Sequence, residues 1–321
     1  MLATYEEIHL MKMLGFRKIS KSYTGWIAGV EAHGDKYELV DYEPNKNYDA
    51  DCFYQTNLMK KKFSSTGIRF DGWGQKYQYI LDQKKPFIVS ESPCFREGGY
   101  KRYGWWSYGW TTGNFNNDNV DSYRWDKFSK NTGTVLKDWN SPGDAILIIG
   151  QKEGDSALNS LYADLNYRIF YDWIEDIITE IRKYTDRKII IRPHPKNINR
   201  GRKLASRIEK KYKNVEASLY EPTGFYQGGE SLEHALSQAY CVITYSSNTG
   251  VEAVTRGIPV YAFDKDSMVY PLSQKKLSNI ENLNYNIDTQ DWKNKIAYTF
   301  WHPKELKRGD AWEHLKPVYF A

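Results

Sequence analysis

The sequence predicts an α/β protein of two domains, and three observations carry that reading. The chain has 321 residues, and domains usually run to about 100–200 residues, so two buried cores are the default. From residue 145 onward short apolar runs alternate with segments of helical period, the pattern of a parallel sheet covered on both faces. Before residue 140 the texture is aromatic, glycine-rich and irregular. The turn-forming stretch Asn140-Ser141-Pro142-Gly143-Asp144 separates the two halves.

In chain order, the first half offers one clear buried strand, Pro86–Ser90, while Gly72–Gly74 and the long run Glu97–Asp126 read as loops. The second half opens with the strand Ala145–Ile149 and the loop Gly150–Gly154. Asp155 or Ser156 then caps a helix whose Leu158, Leu161, Leu165, Phe170, Trp173, Ile174, Ile177 and Ile181 keep a helical period. The strand Lys188–Arg192, a basic helix at Arg200–Tyr212 and the strand Val215–Ser218 follow. A helix Ser231–Ala239, the strand Cys241–Tyr245, a helix Thr249–Arg256 and the strand Ile258–Phe263 complete the series.

Composition excludes several classes. Hydrophobic residues make up 40% and charged residues 26%, ordinary for a globular protein, and mean hydropathy is -0.71. No window approaches the ~18 uninterrupted apolar residues of a membrane span. Glu6 and Glu7 stand where a signal peptide would be cationic and then apolar. The expectation is a cytoplasmic protein. Cys52, Cys94 and Cys241 are far apart, odd in number and without CxxC spacing, which argues against a disulfide framework or a zinc site and for buried thiols. A net charge of +5 favours a polyanionic partner without demonstrating one. Tyr, at 26, outnumbers the 20 Leu, so flat surfaces that stack on sugars or bases enter the reading.

Ligands of parallel sheets bind beyond the carboxyl ends of the strands, which directs attention to three loops. Gly150-Gln151-Lys152-Glu153-Gly154-Asp155-Ser156 is a polar turn into a helix N-terminus, suited to an anion or simply to the cap that any such connection needs. In Arg192-Pro193-His194-Pro195-Lys196 two prolines hold an imidazole between two cations, an arrangement that suits a diphosphate. Tyr245-Ser246-Ser247-Asn248-Thr249-Gly250 again opens a helix; its hydroxyls would converge on a phosphate oxygen, with Gly250 admitting close approach, or Ser-Ser-Asn would serve only as a cap. It lacks the Gly-Lys-Ser/Thr of a P-loop.

In the first half the run Tyr100–Trp110 mixes rings, cations and glycines. It reads equally as a surface that stacks on sugars or unpaired bases and as a core wedge between the domains. Glu91, closing the buried strand, and Asp118, in Asn116-Asn117-Asp118-Asn119, are the carboxylates available to deprotonate an acceptor hydroxyl, although each would also serve as a turn-former.

The combination resembles a family. Gln151 to Ser156, Arg192–Pro195, and Cys241-Val242-Ile243-Thr244-Tyr245-Ser246-Ser247 with Glu252-Ala253 and Gly257-Ile258-Pro259-Val260 look like the C-terminal half of capsule-polysaccharide glycosyltransferases and bacterial sialyltransferases. That resemblance implies a GT-B-like fold, two Rossmann-type domains with a ligand cleft between them. Residues 1–140 would form the acceptor domain and 141–285 the donor domain, with 286–321 crossing back over both. It further implies a nucleotide-sugar co-substrate, UDP-linked by preference and CMP-linked as the alternative, with no bound cofactor and no metal. The donor residues would be Gln151, Asp155, Ser156, Arg192, His194, Lys196, Ser246, Ser247, Asn248, Thr249 and Glu252.

A second resemblance is narrower. Glu91-Ser92-Pro93 with Arg96, Gly104-Trp105, Phe115-Asn116-Asn117, Arg124-Trp125 and Gly309-Asp310-Ala311-Trp312-Glu313-His314-Leu315 are similar to phage-encoded glycosyltransferases, among them those thought to add pentoses to hydroxymethylcytosine. It implies transfer of a sugar such as arabinose to 5-hydroxymethylcytosine in phage DNA, in the host cytoplasm. Glu91 would then be the base and Asp118 its reserve, with Arg96, Arg102, Trp105, Trp106 and Trp110 holding the acceptor. The alternatives are transfer to a capsule or surface glycan, and a non-catalytic nucleic-acid-binding protein.

Overall fold

The computed structural model describes residues 2–5, 21–40, 50–54, 62–64, 67–69, 86–195, 198–218 and 231–320. In chain order the strands are β1 (Leu2–Tyr5), β2 (Tyr37–Val40), β3 (Ala50–Tyr54), β4 (Lys62–Ser64), β5 (Gly67–Arg69), β6 (Phe87–Glu91), β7 (Lys101–Trp105), β8 (Ala145–Ile149), β9 (Ile189–Arg192), β10 (Val215–Ala217), β11 (Ala239–Thr244), β12 (Val260–Ala262) and β13 (Phe300–Trp301). The helices are α1 (Lys21–Ala32), α2 (Tyr123–Thr132), α3 (Asn159–Ala163), α4 (Phe170–Ile181), α5 (Ile198–Glu209), α6 (Leu232–Ser237), α7 (Thr249–Thr255), α8 (Gln290–Ala297), α9 (Pro303–Arg308) and α10 (Asp310–Leu315). None is long and apolar enough to cross a membrane.

The chain divides into two compact units. Unit 1 comprises Met1–Met59, Phe70–Thr134 and Gln290–Ala321, and unit 2 comprises Lys60–Arg69 and Val135–Thr289.

Unit 2 carries the alternation that the sequence predicts. Its five strands lie in the order β10-β9-β8-β11-β12, and all neighbours are parallel. The strands β8 and β11 are buried along their whole length, as expected where both faces are covered. From β8 the chain builds outward through β9 and β10, then returns to add β11 and β12 on the other side. The loops after β8 and β11 therefore flank the point where the strand order reverses. The predicted helix from Leu158 to Ile181 is interrupted: α3 ends at Ala163, Asn166 adopts a left-handed φ of 59°, and α4 starts at Phe170. The Glu153 carboxylate accepts the Phe170 N–H at 2.9 Å and so caps the second helix.

Unit 1 differs from the irregular reading of its sequence. It contains a six-stranded sheet, β13-β7-β6-β3-β1-β2, in which β2, β1, β3 and β6 are parallel and β7 and β13 are antiparallel additions. The run expected to be a loop at Glu97–Asp126 holds β7 and the start of α2. Strand β7, Lys-Arg-Tyr-Gly-Trp, is buried at four successive positions, so it shows no polar–apolar alternation to be read from sequence. Gly104 makes this packing feasible, since a Cβ there would lie 2.5 Å from the Phe115 ring.

The three cysteines are free and buried. Burial pushes the Cys94 thiol up to about 11 and Cys241 higher still, which makes both unreactive.

Candidate functional site

The loops after β8, β9 and β11 meet at the carboxyl edge of the unit 2 sheet. Gly150 donates its N–H to the Arg192 carbonyl at 2.8 Å. A Cβ on Gly150 would sit 2.8 Å from that oxygen and 3.1 Å from the His194 nitrogen, so only glycine lets the β9 loop lie this close. Across the reversal point, Gln151 and Ser246 grip each other. The Gln151 amide donates to Ser246 Oγ at 3.0 Å, and its Oε1 accepts the Ser246 N–H at 2.8 Å. Ser246 Oγ in turn donates to the Ala157 carbonyl at 2.7 Å. Gln151 is 7% exposed, so the clasp works largely away from water, where an unmade hydrogen bond is expensive.

The remaining predicted donor residues are placed as follows. Ser247 Oγ accepts the Thr249 N–H at 3.2 Å, which leaves its own proton to donate. Asn248 and Thr249 begin α7, where the Ser247 and Asn248 carbonyls take the first N–H groups, and Glu252 lies in its first turn. Asp155 Oδ1 accepts the Ala157 N–H at 3.2 Å, the capping role anticipated for it. Arg192 ends β9, Pro193 is buried and His194 is half-buried. Lys196 lies outside the described residues, as does the side chain of Ser156. Gly250 corrects the sequence reading. It is buried, and a Cβ would meet Val269 at 2.8 Å, so its small size serves helix packing rather than ligand approach.

Ser160 and Asp264, beside this edge, escaped the sequence reading. Ser160 on α3 donates to Asp264 Oδ2 at 2.8 Å and lies 2.7 Å from the Tyr245 hydroxyl. Burial raises the Asp264 carboxyl, and the nearby Asp266 and Asp164 charges push the same way. Glu153 is likewise raised by burial, while it accepts the Tyr162 hydroxyl at 3.0 Å. Asp264 lies two residues past β12, so the strand-end rule applied to every strand would have found it. Exposed Phe263 adjoins it, its ring 5.3 Å from Trp173.

In unit 1, Glu91 closes β6 opposite Arg102 of β7. Its Oε1 accepts the Ser92 N–H at 2.6 Å, so it does form a local turn contact. Asp118 and Arg96 are exposed. Trp105 is fully buried, with its indole N–H donated to the Leu315 carbonyl at 2.8 Å, and its ring belongs to the core. Trp106 is half-buried with a left-handed φ of 67° and donates to the Tyr319 hydroxyl. Trp110 is half-buried. Arg102 is buried. The structure thus gathers the three polar loops at one sheet edge and disperses the aromatic run, part into the core and part near the surface.

With this geometry in view, comparison with known proteins is informative. Residues 122–270 match the model of a family described as capsule polysaccharide biosynthesis protein. No curated protein matches. Among solved structures, the chain is similar to the KpsC beta Kdo 2,7 transferase of Thermosulfurimonas dismutans, at 14% identity and a TM-score of 0.54, covering 93% of this chain and 89% of that one. It is also similar to the beta Kdo 2,4 transferase of the same KpsC, at 13% identity and a TM-score of 0.50, covering 93% and 90%. The fold is GT-B-like, and the matches give no support to the resemblance to phage DNA enzymes.

Proposed function

We propose that this chain is a glycosyltransferase that moves a sugar from a nucleotide-sugar donor to a capsule or other surface glycan. The observation that carries the reading is the Gln151–Ser246 clasp at the reversal point of the unit 2 sheet, with the Arg192–His194 loop packed on Gly150 beside it. In a parallel sheet this is where a nucleotide sits.

The donor diphosphate lies against Arg192 and His194, with the Ser247 hydroxyl donating to a phosphate oxygen. As the bond from the anomeric carbon to the phosphate oxygen breaks, the leaving nucleotide keeps the electron pair, and these fixed donors take up the charge. In an inverting transfer the acceptor oxygen forms the new bond to the anomeric carbon and gives its proton to Glu91, with Asp118 as the reserve base; in a retaining one the donor phosphate takes that proton. UDP-linked donors are preferred and CMP-linked donors are the alternative.

The test is incubation with UDP- and CMP-sugars and mass spectrometry of three acceptors: oligosaccharides, DNA containing 5-hydroxymethylcytosine, and plain DNA. Glycosylated oligosaccharide is the expected product. Modification of the hydroxymethylated DNA alone would move the acceptor to nucleic acid, which the net charge of +5 would suit. Failure to turn over any donor would overturn the transferase reading.

A further inference from the structure

Arg102 is a buried cation whose Nε has no hydrogen-bond partner among the described residues. The residue is 4% exposed, and that nitrogen is enclosed. The Tyr108 ring covers it, with the guanidinium carbon 5.2 Å from the ring centroid. On one side its ladder neighbour is Phe300 of β13, part of an aromatic cluster with Phe95, Tyr100 and Phe128. On the other side its neighbour is Glu91, which turns one carboxylate oxygen to the Ser92 N–H. Tyr108 and Glu91 are both partly exposed, so the guanidinium lies just beneath the surface.

Folded proteins seldom tolerate this arrangement. Removing a charge from water is strongly unfavourable unless a partner replaces the lost hydration. Arginine cannot escape by shedding its proton. A planar fork of donors held in a low-dielectric setting is, however, well matched to a carboxylate or phosphate.

We propose that Arg102 binds an oxyanion carried by the acceptor, either a carboxylate or a phosphate, while Glu91 across the ladder faces the acceptor hydroxyl. The two side chains then orient one molecule by its two ends, the anion at the guanidinium and the hydroxyl at the carboxylate. Calling that molecule the acceptor rests on the transferase reading; the anion site does not.

The test is calorimetry on the full chain with methyl glucuronide, glucose 6-phosphate and uncharged methyl glucoside. At least one charged sugar is expected to bind about tenfold or more tightly than methyl glucoside, the scale of a charge-assisted hydrogen bond. Which one binds tells carboxylate from phosphate. Arg102→Met should abolish the preference and leave UDP and CMP titrations unaltered, and Arg102→Lys should retain part of it. Without ligand, Arg102→Met should melt at or above the wild-type temperature, because it removes a buried charge with an unpaired Nε; a purely structural arginine would give a lower value. Binding of neither charged sugar, equal binding of charged and uncharged sugars, or a preference that survives Arg102→Met overturns the proposal. Donor turnover without anion preference would sink this assignment alone, and anion preference without donor turnover would sink only the transferase reading.

Discussion

Arg124 and Glu305, 181 residues apart, form a buried two-pronged ion pair, with Nη1 and Nη2 each 3.2 Å from a carboxylate oxygen. The same guanidinium donates to the carbonyls of Ala297 and Phe300 and lies 3.6 Å over the Trp301 ring. One side chain on α2 thus ties α8, β13 and α9 together, which makes the segment from Gln290 onward part of unit 1. Removing one partner of a buried pair typically costs about 3–5 kcal/mol, because the other is left charged and enclosed. Arg124→Met should therefore destabilise unit 1 by that order in chemical denaturation. The double variant Arg124→Met, Glu305→Leu should recover much of the loss.

Acid should find the same pair. Burial alone would raise the Glu305 carboxyl, but Arg124 and Lys127 outweigh it and hold it at about 2, below its ordinary 4.5. A group depressed in the folded state contributes stability that is present above its unfolded pKa and lost as pH falls through the folded one. The loss should fall between about pH 4.5 and 2 and amount to roughly 3 kcal/mol. Melting curves of Glu305→Gln should start lower at neutral pH and be flatter across that window.

His314 should govern a milder range. Burial pushes its imidazole below the ordinary 6.5, reinforced by the Arg124 charge, while a ring nitrogen sits 3.0 Å from the Phe115 carbonyl. The unfolded chain takes up a proton that the native state resists, so stability is complete above about pH 6.5 and declines below it. His314→Gln should flatten the melting-temperature slope between neutral pH and pH 5, leaving a smaller slope from His302, which burial also lowers. An unchanged slope would remove His314 from the account.

Two glycines on α1 should behave oppositely. A Cβ on Gly29 would lie 2.1 Å from the Leu306 carbonyl oxygen and 2.9 Å from Gly309 Cα, backbone atoms of and just beyond α9 that cannot turn aside. Gly29→Ala should cost about 1–3 kcal/mol or more. At Gly25 the nearest atom is 3.4 Å away, an ordinary contact, so Gly25→Ala should be neutral or stabilising by up to about 1 kcal/mol through helix propensity.

The Gln151–Ser246 clasp and the proposed base can be separated by mutation. Gln151→Leu leaves the Ser246 N–H without its acceptor and should weaken nucleotide binding by about 1–3 kcal/mol, read by calorimetry with UDP and CMP. Glu91→Gln should bind nucleotide normally and slow turnover by about 10²–10⁴-fold. Near-normal turnover with a lowered melting temperature would reduce Glu91 to its contact with Ser92.

By itself the sequence determined unit 2: its alternation, its strand order of appearance and the three loops that matter are local signals. Strands β8, β9 and β11 are continuous apolar runs bounded by turn residues, and such runs declare themselves within a few positions. Only the tertiary structure decided that Gln151 would clasp Ser246, 95 residues away, because hydrogen-bond partners across a sheet edge leave no periodic trace. The same holds more strongly in unit 1. Its strand β7 is buried on both faces and its outermost strand β13 has two residues, so neither shows the alternation that marks a half-exposed strand. The aromatic run gave no hint that Trp105 would enter the core while Trp106 stayed half-buried beside it. What settles these side chains is burial against segments distant in the chain, Arg124 on Trp301 and Trp105 under Leu315, and burial is a property of the folded whole.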